Sequence, residues 1–168
     1  MHKKLADELN LQIMYEFFSS HLYLAMASYA SSRDFDGFES WFLVQRDEEV
    51  FHAMKFYRYL LERGENVTIT GFENPKTDYE SLTDALEYAL SHEGFVTSRI
   101  NHLMDVATEV KDYAAIQFLQ WFINEQVEEE DSFRNLIGKV KMVGESGEGI
   151  YHIDLEAAKR TFTPPTAE

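Results

Sequence analysis

Cysteine is absent from this sequence and proline is rare. Without thiols, disulfide bonds, thiolate zinc sites and cysteine-held iron–sulfur clusters are excluded. The three prolines are Pro75, Pro164 and Pro165. Residues 1–74 therefore lack the residue that most strongly breaks helices.

Long apolar runs are also missing. The longest uncharged stretch, residues 17–32, contains His21 and several serines. It is shorter than the ~20 apolar residues that a membrane-spanning helix needs. Near the start, Asp7 and Glu8 stand where the apolar core of a secretory leader would begin. We therefore expect a soluble protein without a membrane partner, and the absence of cysteine suits the cytoplasm.

Positive charge is in short supply, with 15 Lys and Arg against 30 Asp and Glu and a formal net charge of −15. This composition disfavours nucleic acid and anionic membranes, because both bind to basic surfaces. The hydrophobic content of 45% excludes a disordered chain. A chain of 168 residues suffices for one domain with a substantial core, so we expect a single domain over residues 1–168.

Four long segments repeat apolar residues at alternating spacings of three and four. Such seams are typical of helices packed lengthwise in a bundle. The seams run Leu5–Ala30, Phe38–Tyr59, Leu82–Val110 and Phe118–Val140. They predict an all-α fold with four long helices over about residues 5–143. A short amphipathic helix at about residues 146–160 and a tail at 161–168 complete the chain.

Short links join helices one to two and three to four, so each pair forms an antiparallel hairpin. The link at residues 64–80 is much longer. Extended, it reaches ~56 Å, which exceeds the ~42 Å length of a 28-residue helix. It can therefore cross the whole bundle. The predicted fold is a four-helix bundle with one long crossover.

The ends of the helices carry capping signals. Residues 32–36 offer turn and N-cap side chains for helix two, while Ser81 and Asp112 offer caps for helices three and four. Gly64 suits the left-handed position after helix two, and Gly144 marks the end of helix four.

Each seam also has a glutamate near its middle. Aligned helices would bring these four carboxylates to one level of the core, together with His52, which follows its seam glutamate in a Glu-x-x-His spacing. Gln126 and Tyr23 occupy adjacent seam positions. The seam glutamates are Glu16, Glu49, Glu93 and Glu129.

Four buried carboxylates would repel one another, and the seams contain no basic residue to neutralise them. Two divalent ions would balance their charge. A mainly oxygen ligand set with one imidazole suits Fe(II), Mn(II) or Zn(II). A single seam glutamate is commonly a snorkelling side chain, and a single seam histidine a hydrogen-bonded core residue. Four helices that each offer a glutamate at one level favour a metal centre over coincidence.

These motifs resemble those of the non-haem bacterial ferritins, over about residues 5–160. The resemblance implies a four-helix bundle with a short fifth helix, assembled as a homo-oligomer of 24 subunits. Such a shell oxidises Fe(II) with O₂ or H₂O₂ and stores the ferric mineral inside. The resemblance rests on Asn10, Tyr15-Glu16, Tyr23-Leu24, the stretch Glu48–Phe56, Phe118–Phe122 and the stretch Glu125–Glu130.

The resemblance also implies roles for individual residues. Glu16, Glu49 and His52 would hold the first iron. Glu49 would bridge to a second iron, which Glu93 and Glu129 complete with Gln126 close by.

A third iron site would lie on the inner surface. Its ligands would be Glu48, Glu125 and Glu128, with Glu129 shared. An ordinary solvated acidic face is the alternative interpretation of Glu48, Glu125 and Glu128. Tyr23 would be a hydrogen-bonding neighbour or an electron donor, and Trp121 is a further candidate donor.

The sequence departs from related families at two places. Bacterioferritins and rubrerythrins have a second Glu-x-x-His on helix four, where this chain reads Gln126-x-x-Glu129. The second metal therefore lacks an imidazole, and we expect it to bind more weakly. Val50 stands where bacterioferritins have a haem-ligating methionine, so we do not expect haem.

Three alternatives remain open at this stage. One is a di-iron oxidase or peroxidase without storage, and another is a structural helical bundle. A mini-ferritin of the DNA-protecting kind fits less well, because its metal sites lie between subunits.

Overall fold

The computed structural model describes residues 1–164, and its regular elements are five helices. The predicted all-α bundle with a short fifth helix is confirmed. None of the helices in this part of the chain combines the length and apolar character needed to cross a membrane. The helices are α1 (Lys3–Ser31), α2 (Asp36–Glu62), α3 (Leu82–Glu109), α4 (Tyr113–Val143) and α5 (Glu148–Ala157).

Helix directions follow from the pairs of residues that touch. Helix α1 runs antiparallel to α3, because Glu8 contacts Arg99 near one end while Ser19 contacts His92 nearer the other. Since α1 and α2 form a hairpin, α2 and α3 are parallel. The chain between them, residues 65–79, has no regular secondary structure and spans the bundle as predicted.

Most helix ends use the expected caps. The side chains of Ser81 and Asp112 accept hydrogen bonds from backbone N–H groups in the first turns of α3 and α4. Gly64 and Gly144 have φ of 75° and 74°, conformations that favour glycine. Helix α5 ends at Ala157, which is three residues short of the predicted 160. Of the predicted tail, Thr161–Pro164 has no regular structure, and 165–168 lie outside the described residues.

The N-terminus of α2 differs from the prediction. Its N-cap residue is Phe35, which makes no side-chain capping bond, so the expected cap from residues 32–36 is wrong. The cap comes instead from α5. Both carboxylate oxygens of buried Asp154 accept bonds, from the N–H of Gly37 at 3.0 Å and of Phe38 at 2.9 Å. A Cβ at residue 37 would lie 1.8 Å from the Asp154 carbonyl oxygen, so glycine permits this close approach.

The apolar core consists of two clusters stacked along the bundle. One includes Tyr23, Phe42 and Phe133, and the other includes Phe56 and Phe122. Between them lies a layer of buried polar side chains from all four long helices. The fold thus encloses its polar groups at mid-height, away from solvent.

Candidate metal centre

The polar layer contains eight side chains, none more than 4% exposed. Buried carboxylates are costly unless a cation, a proton or a hydrogen-bond donor compensates each one. Four of the eight are the predicted seam glutamates, which therefore do lie together in the core. The eight are Gln12, Glu16, Gln45, Glu49, His52, Glu93, Gln126 and Glu129.

Glu16, Glu49 and His52 form one group in which the possible ligand atoms all lie within 4.8 Å of one another. The Glu-x-x-His spacing puts Glu49 Oε2 3.4 Å from His52 Nδ1. Glu16 Oε2 and His52 Nε2 are buried and have no hydrogen-bond partner among the described residues. Buried polar atoms are normally paired, so these two unpartnered atoms fit a cation site.

His52 also belongs to a second group, with Glu125 and Glu129, whose possible ligand atoms again lie within 4.8 Å. Its Nε2 is 3.9 Å from Glu125 Oε1. The sequence assigned His52 to the first ion only. In the structure the imidazole lies between the buried centre and the outer acidic residues.

Glu93 lies outside both groups and is held by hydrogen bonds. The hydroxyl of Tyr23 donates to one of its carboxylate oxygens, and Gln126 Nε2 donates to the other at 3.1 Å. Glu129 accepts from Gln45 Nε2 at 2.7 Å. The proposed ligands of a second ion are thus present in the layer, but their carboxylates point to amide and hydroxyl donors.

Burial raises the pKa of every seam glutamate. The pKa of Glu16 rises to about 8, mainly from desolvation and then from the neighbouring Glu49 charge. Desolvation likewise raises the pKa of Glu93 and of Glu129 to about 7 each, and the pKa of Glu49 well above its usual value. Without a cation, the centre therefore holds protons that a divalent ion would displace.

The predicted outer site is only partly assembled. Glu48 is largely buried, and its carboxylate is bonded to the guanidinium of Arg160. Glu125 and Glu129 lie near enough that their charges add to the desolvation that raises the pKa of Glu48. Glu128 is exposed and belongs to neither ligand group. Its role as a ligand stays a prediction.

Two aromatic residues flank this outer region. The ring of Trp121 lies 5.5 Å from that of His52, and Lys55 Nζ lies 4.4 Å from the centroid of Trp121. On the other side, the guanidinium carbon of Arg160 is 4.3 Å from the centroid of Trp41. Each tryptophan therefore has a cation over its face.

Sequence reasoning overlooked Gln12, Gln45 and Arg160. Gln12 Nε2 donates to Glu16 at 2.9 Å, while Gln45 donates to Glu129 on the opposite helix. Each glutamine stands one turn before a seam glutamate, so its spacing was a usable signal. Arg160 follows α5, and no periodic pattern connects it to the centre.

A four-helix bundle with a buried layer of glutamates and a Glu-x-x-His motif defines the class of carboxylate metalloproteins. Within that class, this chain belongs to the ferritin family, because residues 6–143 match the model of the ferritin-like domain.

Proteins of known sequence and structure agree with this assignment. The chain is 39% identical, over 96% of its length, to a bacterial non-heme ferritin of Staphylococcus saprophyticus, covering 97% of that protein. For the non-heme ferritin of Staphylococcus aureus, the identity is 38%, with 96% of this chain and 98% of the relative covered. An open-pore ferritin from the archaeon Archaeoglobus fulgidus superimposes with a TM-score of 0.94 at 39% identity, over 96% of this chain and 99% of that one.

Proposed function

We propose that this chain oxidises Fe(II) at its buried carboxylate layer and stores the ferric product inside a hollow shell of 24 copies. The observation that carries this proposal is that two possible ligand atoms of one group, Glu16 Oε2 and His52 Nε2, are buried without a hydrogen-bond partner. Membership of the ferritin family supports the choice of iron as substrate.

Two Fe(II) ions would enter as substrate. Glu16, Glu49 and His52 would hold one, and Glu49 would bridge to the other. Glu93 and Glu129 would complete the second position once they exchange amide and hydroxyl partners for the ion, with Gln126 beside them. Each Fe(II) supplies one electron, so the pair delivers two electrons to O₂ or H₂O₂.

The second position fits iron that passes through. It has no imidazole, and its carboxylates already have donors in Tyr23, Gln126 and Gln45. An ion there must replace those hydrogen bonds, so we expect it to leave more readily than the first. Its exit would lead past Glu48, Glu125 and Glu128 toward the interior of the shell.

An oxidation assay with matched variants tests the centre. Anaerobic Fe(II) loading is followed by a pulse of oxygen, and formation of the ferric product is recorded by absorbance. Glu49→Gln should slow oxidation by about 100-fold, in the range for losing a group that positions both reacting ions. Glu62→Gln, on the exposed end of α2, removes the same charge and should oxidise iron like the wild type. Equal rates for the two variants would rule out the buried layer as the oxidation site.

Particle mass tests storage separately. The assembled protein should have the mass of 24 chains and should gain mass when iron and oxygen are supplied together. A monomer or dimer that oxidises iron without gaining mass would indicate an oxidase without storage.

A further inference from the structure

The segment after α5 runs along the face of α2 that borders the metal centre. Arg160 contacts three residues there, each three or four positions from the next. Its guanidinium lies over Trp41, its Nη1 donates to Gln45 Oε1 at 2.5 Å, and its Nη2 pairs with the Glu48 carboxylate. One turn further on, Phe162 packs against Phe51 with ring centroids 5.6 Å apart.

The docking of α5 fixes where this segment begins. Asp154 caps the N-terminus of α2, and the glycine at residue 37 lets the two backbones meet. Arg160 follows only six residues later. The guanidinium is therefore held against α2 from both sides, by the Asp154 cap before it and by the Phe162 contact after it.

Arg160 determines how Gln45 is oriented. A guanidinium can only donate hydrogen bonds, so the amide oxygen of Gln45 must face it. The amide nitrogen then points to the other side, where it donates to Glu129 at 2.7 Å. Since Gln45 is fully buried, no solvent-exposed alternative competes with this arrangement. Arg160 thus acts on the proposed second iron position through one intervening side chain.

Arg160 also forms an ion pair with Glu48. The charge-assisted pair leaves this carboxylate with a protein cation as its partner, and only about a fifth of the Arg160 side chain is exposed. An iron ion that moves outward from Glu129 and Glu125 meets a positive charge at Glu48. It can bind there only by displacing the guanidinium.

We propose that Arg160 is a positioning residue that closes the exit at Glu48, by pairing with this carboxylate and by orienting Gln45 toward Glu129. The inference rests on the proposed function, because it assumes that metal ions travel from the buried layer past Glu48. Iron transfer to the interior would then require the guanidinium to leave Glu48.

Zn(II) titration of the assembled, metal-free full chain tests this proposal without redox chemistry. The wild type should show a tight step at the buried layer and a weak step at the exit. Arg160→Gln should tighten the weak step by about tenfold and leave binding by Glu16 and His52 unchanged. Lys159→Gln removes the same charge from an exposed neighbour and should match the wild type. Arg160→Lys keeps a cation at Glu48, so its weak step should have the same Zn(II) affinity as that of the wild type.

Two further measurements separate closure of the exit from a general structural effect. In a Glu48→Gln background, Arg160→Gln should no longer change the weak step, because the pair is already broken. In a Trp121→Phe protein, which retains Arg160, Trp41 is the only tryptophan and lies against the guanidinium. Its fluorescence should change during the weak Zn(II) step. This signal carries the test even if Arg160→Gln does not assemble.

The outcomes identify which proposal fails. An unchanged weak step in Arg160→Gln, an equal change in Lys159→Gln, or constant Trp41 fluorescence would each overturn the role of Arg160. A wild-type protein without a tight step, or a tight step that survives Glu49→Gln, would instead overturn the proposed function.

Discussion

Metal binding to the buried layer should release protons, and the number released should depend on pH. In this experiment, Zn(II) is added to metal-free assembled protein, first at pH 6.5 and then at pH 8.5. The seam glutamates hold protons in the metal-free state because desolvation and mutual repulsion raise their pKa values. A divalent ion needs the ionised form, so each carboxylate that becomes a ligand loses its proton.

The magnitude follows from the raised pKa values. With a pKa of about 8 for Glu16 and about 7 for Glu93 and Glu129, roughly 97% and 75% of these groups are protonated at pH 6.5. Desolvation also raises the pKa of Glu49, so this carboxyl adds to the protons held. Loading both positions should therefore release about three protons per chain. At pH 8.5 the release should be clearly smaller, because Glu93 and Glu129 are already ionised and Glu16 is largely so.

Calorimetry in two buffers of different ionisation enthalpy measures this release directly. The observed heat varies linearly with the ionisation enthalpy of the buffer, and the slope is the number of protons exchanged. Glu16→Gln should lower the release at pH 6.5 by about one proton. Glu62→Gln, at an exposed position, should leave it unchanged.

Release of less than about one proton at both pH values would contradict this prediction, since the carboxylates would then be ionised without metal. The same release in Glu16→Gln as in the wild type would also refute it, because the protons would come from elsewhere.

Three further predictions concern stability and the second metal position. The raised pKa values of the seam glutamates stabilise the folded, metal-free protein most below pH 4.5, and this stabilisation is lost as the pH rises through about 7 to 8. The metal-free protein should therefore lose ~3 kcal/mol or more of unfolding free energy between pH 5 and pH 8, measured by urea titration. Gly37→Ala should destabilise the protein by about 2 kcal/mol or more in the same assay, because its Cβ would clash with Asp154. Gly138→Ala should instead stabilise it by about 0.5–1 kcal/mol, because a Cβ at this position of α4 meets no other atom within 4 Å. Tyr23→Phe removes a donor to Glu93 that an ion at the second position must replace, so it should tighten the second Zn(II) by about tenfold in calorimetry, while the first is unaffected.

The four long helices and the buried layer could be predicted because both depend on local spacing. Positions three and four apart share a helix face, so a glutamate within an apolar seam faces the core. One such residue can still snorkel to solvent, but a glutamate at the same level of all four seams predicts the burial of Glu16, Glu49, Glu93 and Glu129. The crossover could be predicted from chain length, since a 17-residue link is long enough to traverse the bundle.

The contacts of α5 could not be predicted in the same way. Asp154 and Gly37 are 117 positions apart, and Arg160 and Glu48 are 112 apart. Neither pair belongs to a repeating pattern. Their meeting depends on how a ten-residue helix packs across α2 and α4, which the spacing of its own apolar residues does not determine. Local turn residues likewise predicted a cap for α2 within residues 32–36, whereas Asp154, which is distant in sequence, provides it.

The acidic groups of the centre are compensated in two different ways. The seams contain no basic residue, so the sequence alone predicts that metal ions neutralise the four seam glutamates. The structure shows two kinds of acidic group around the centre. The four seam glutamates hold protons or amide and hydroxyl donors, which a divalent ion can replace, whereas Glu48 already has a cation from its own chain. Two divalent ions match the four seam carboxylates in charge, and Arg160 matches Glu48. Binding at the centre and release past Glu48 therefore depend on different competitors: protons and neutral donors in the first case, and in the second a guanidinium in addition to the proton that desolvation favours on Glu48.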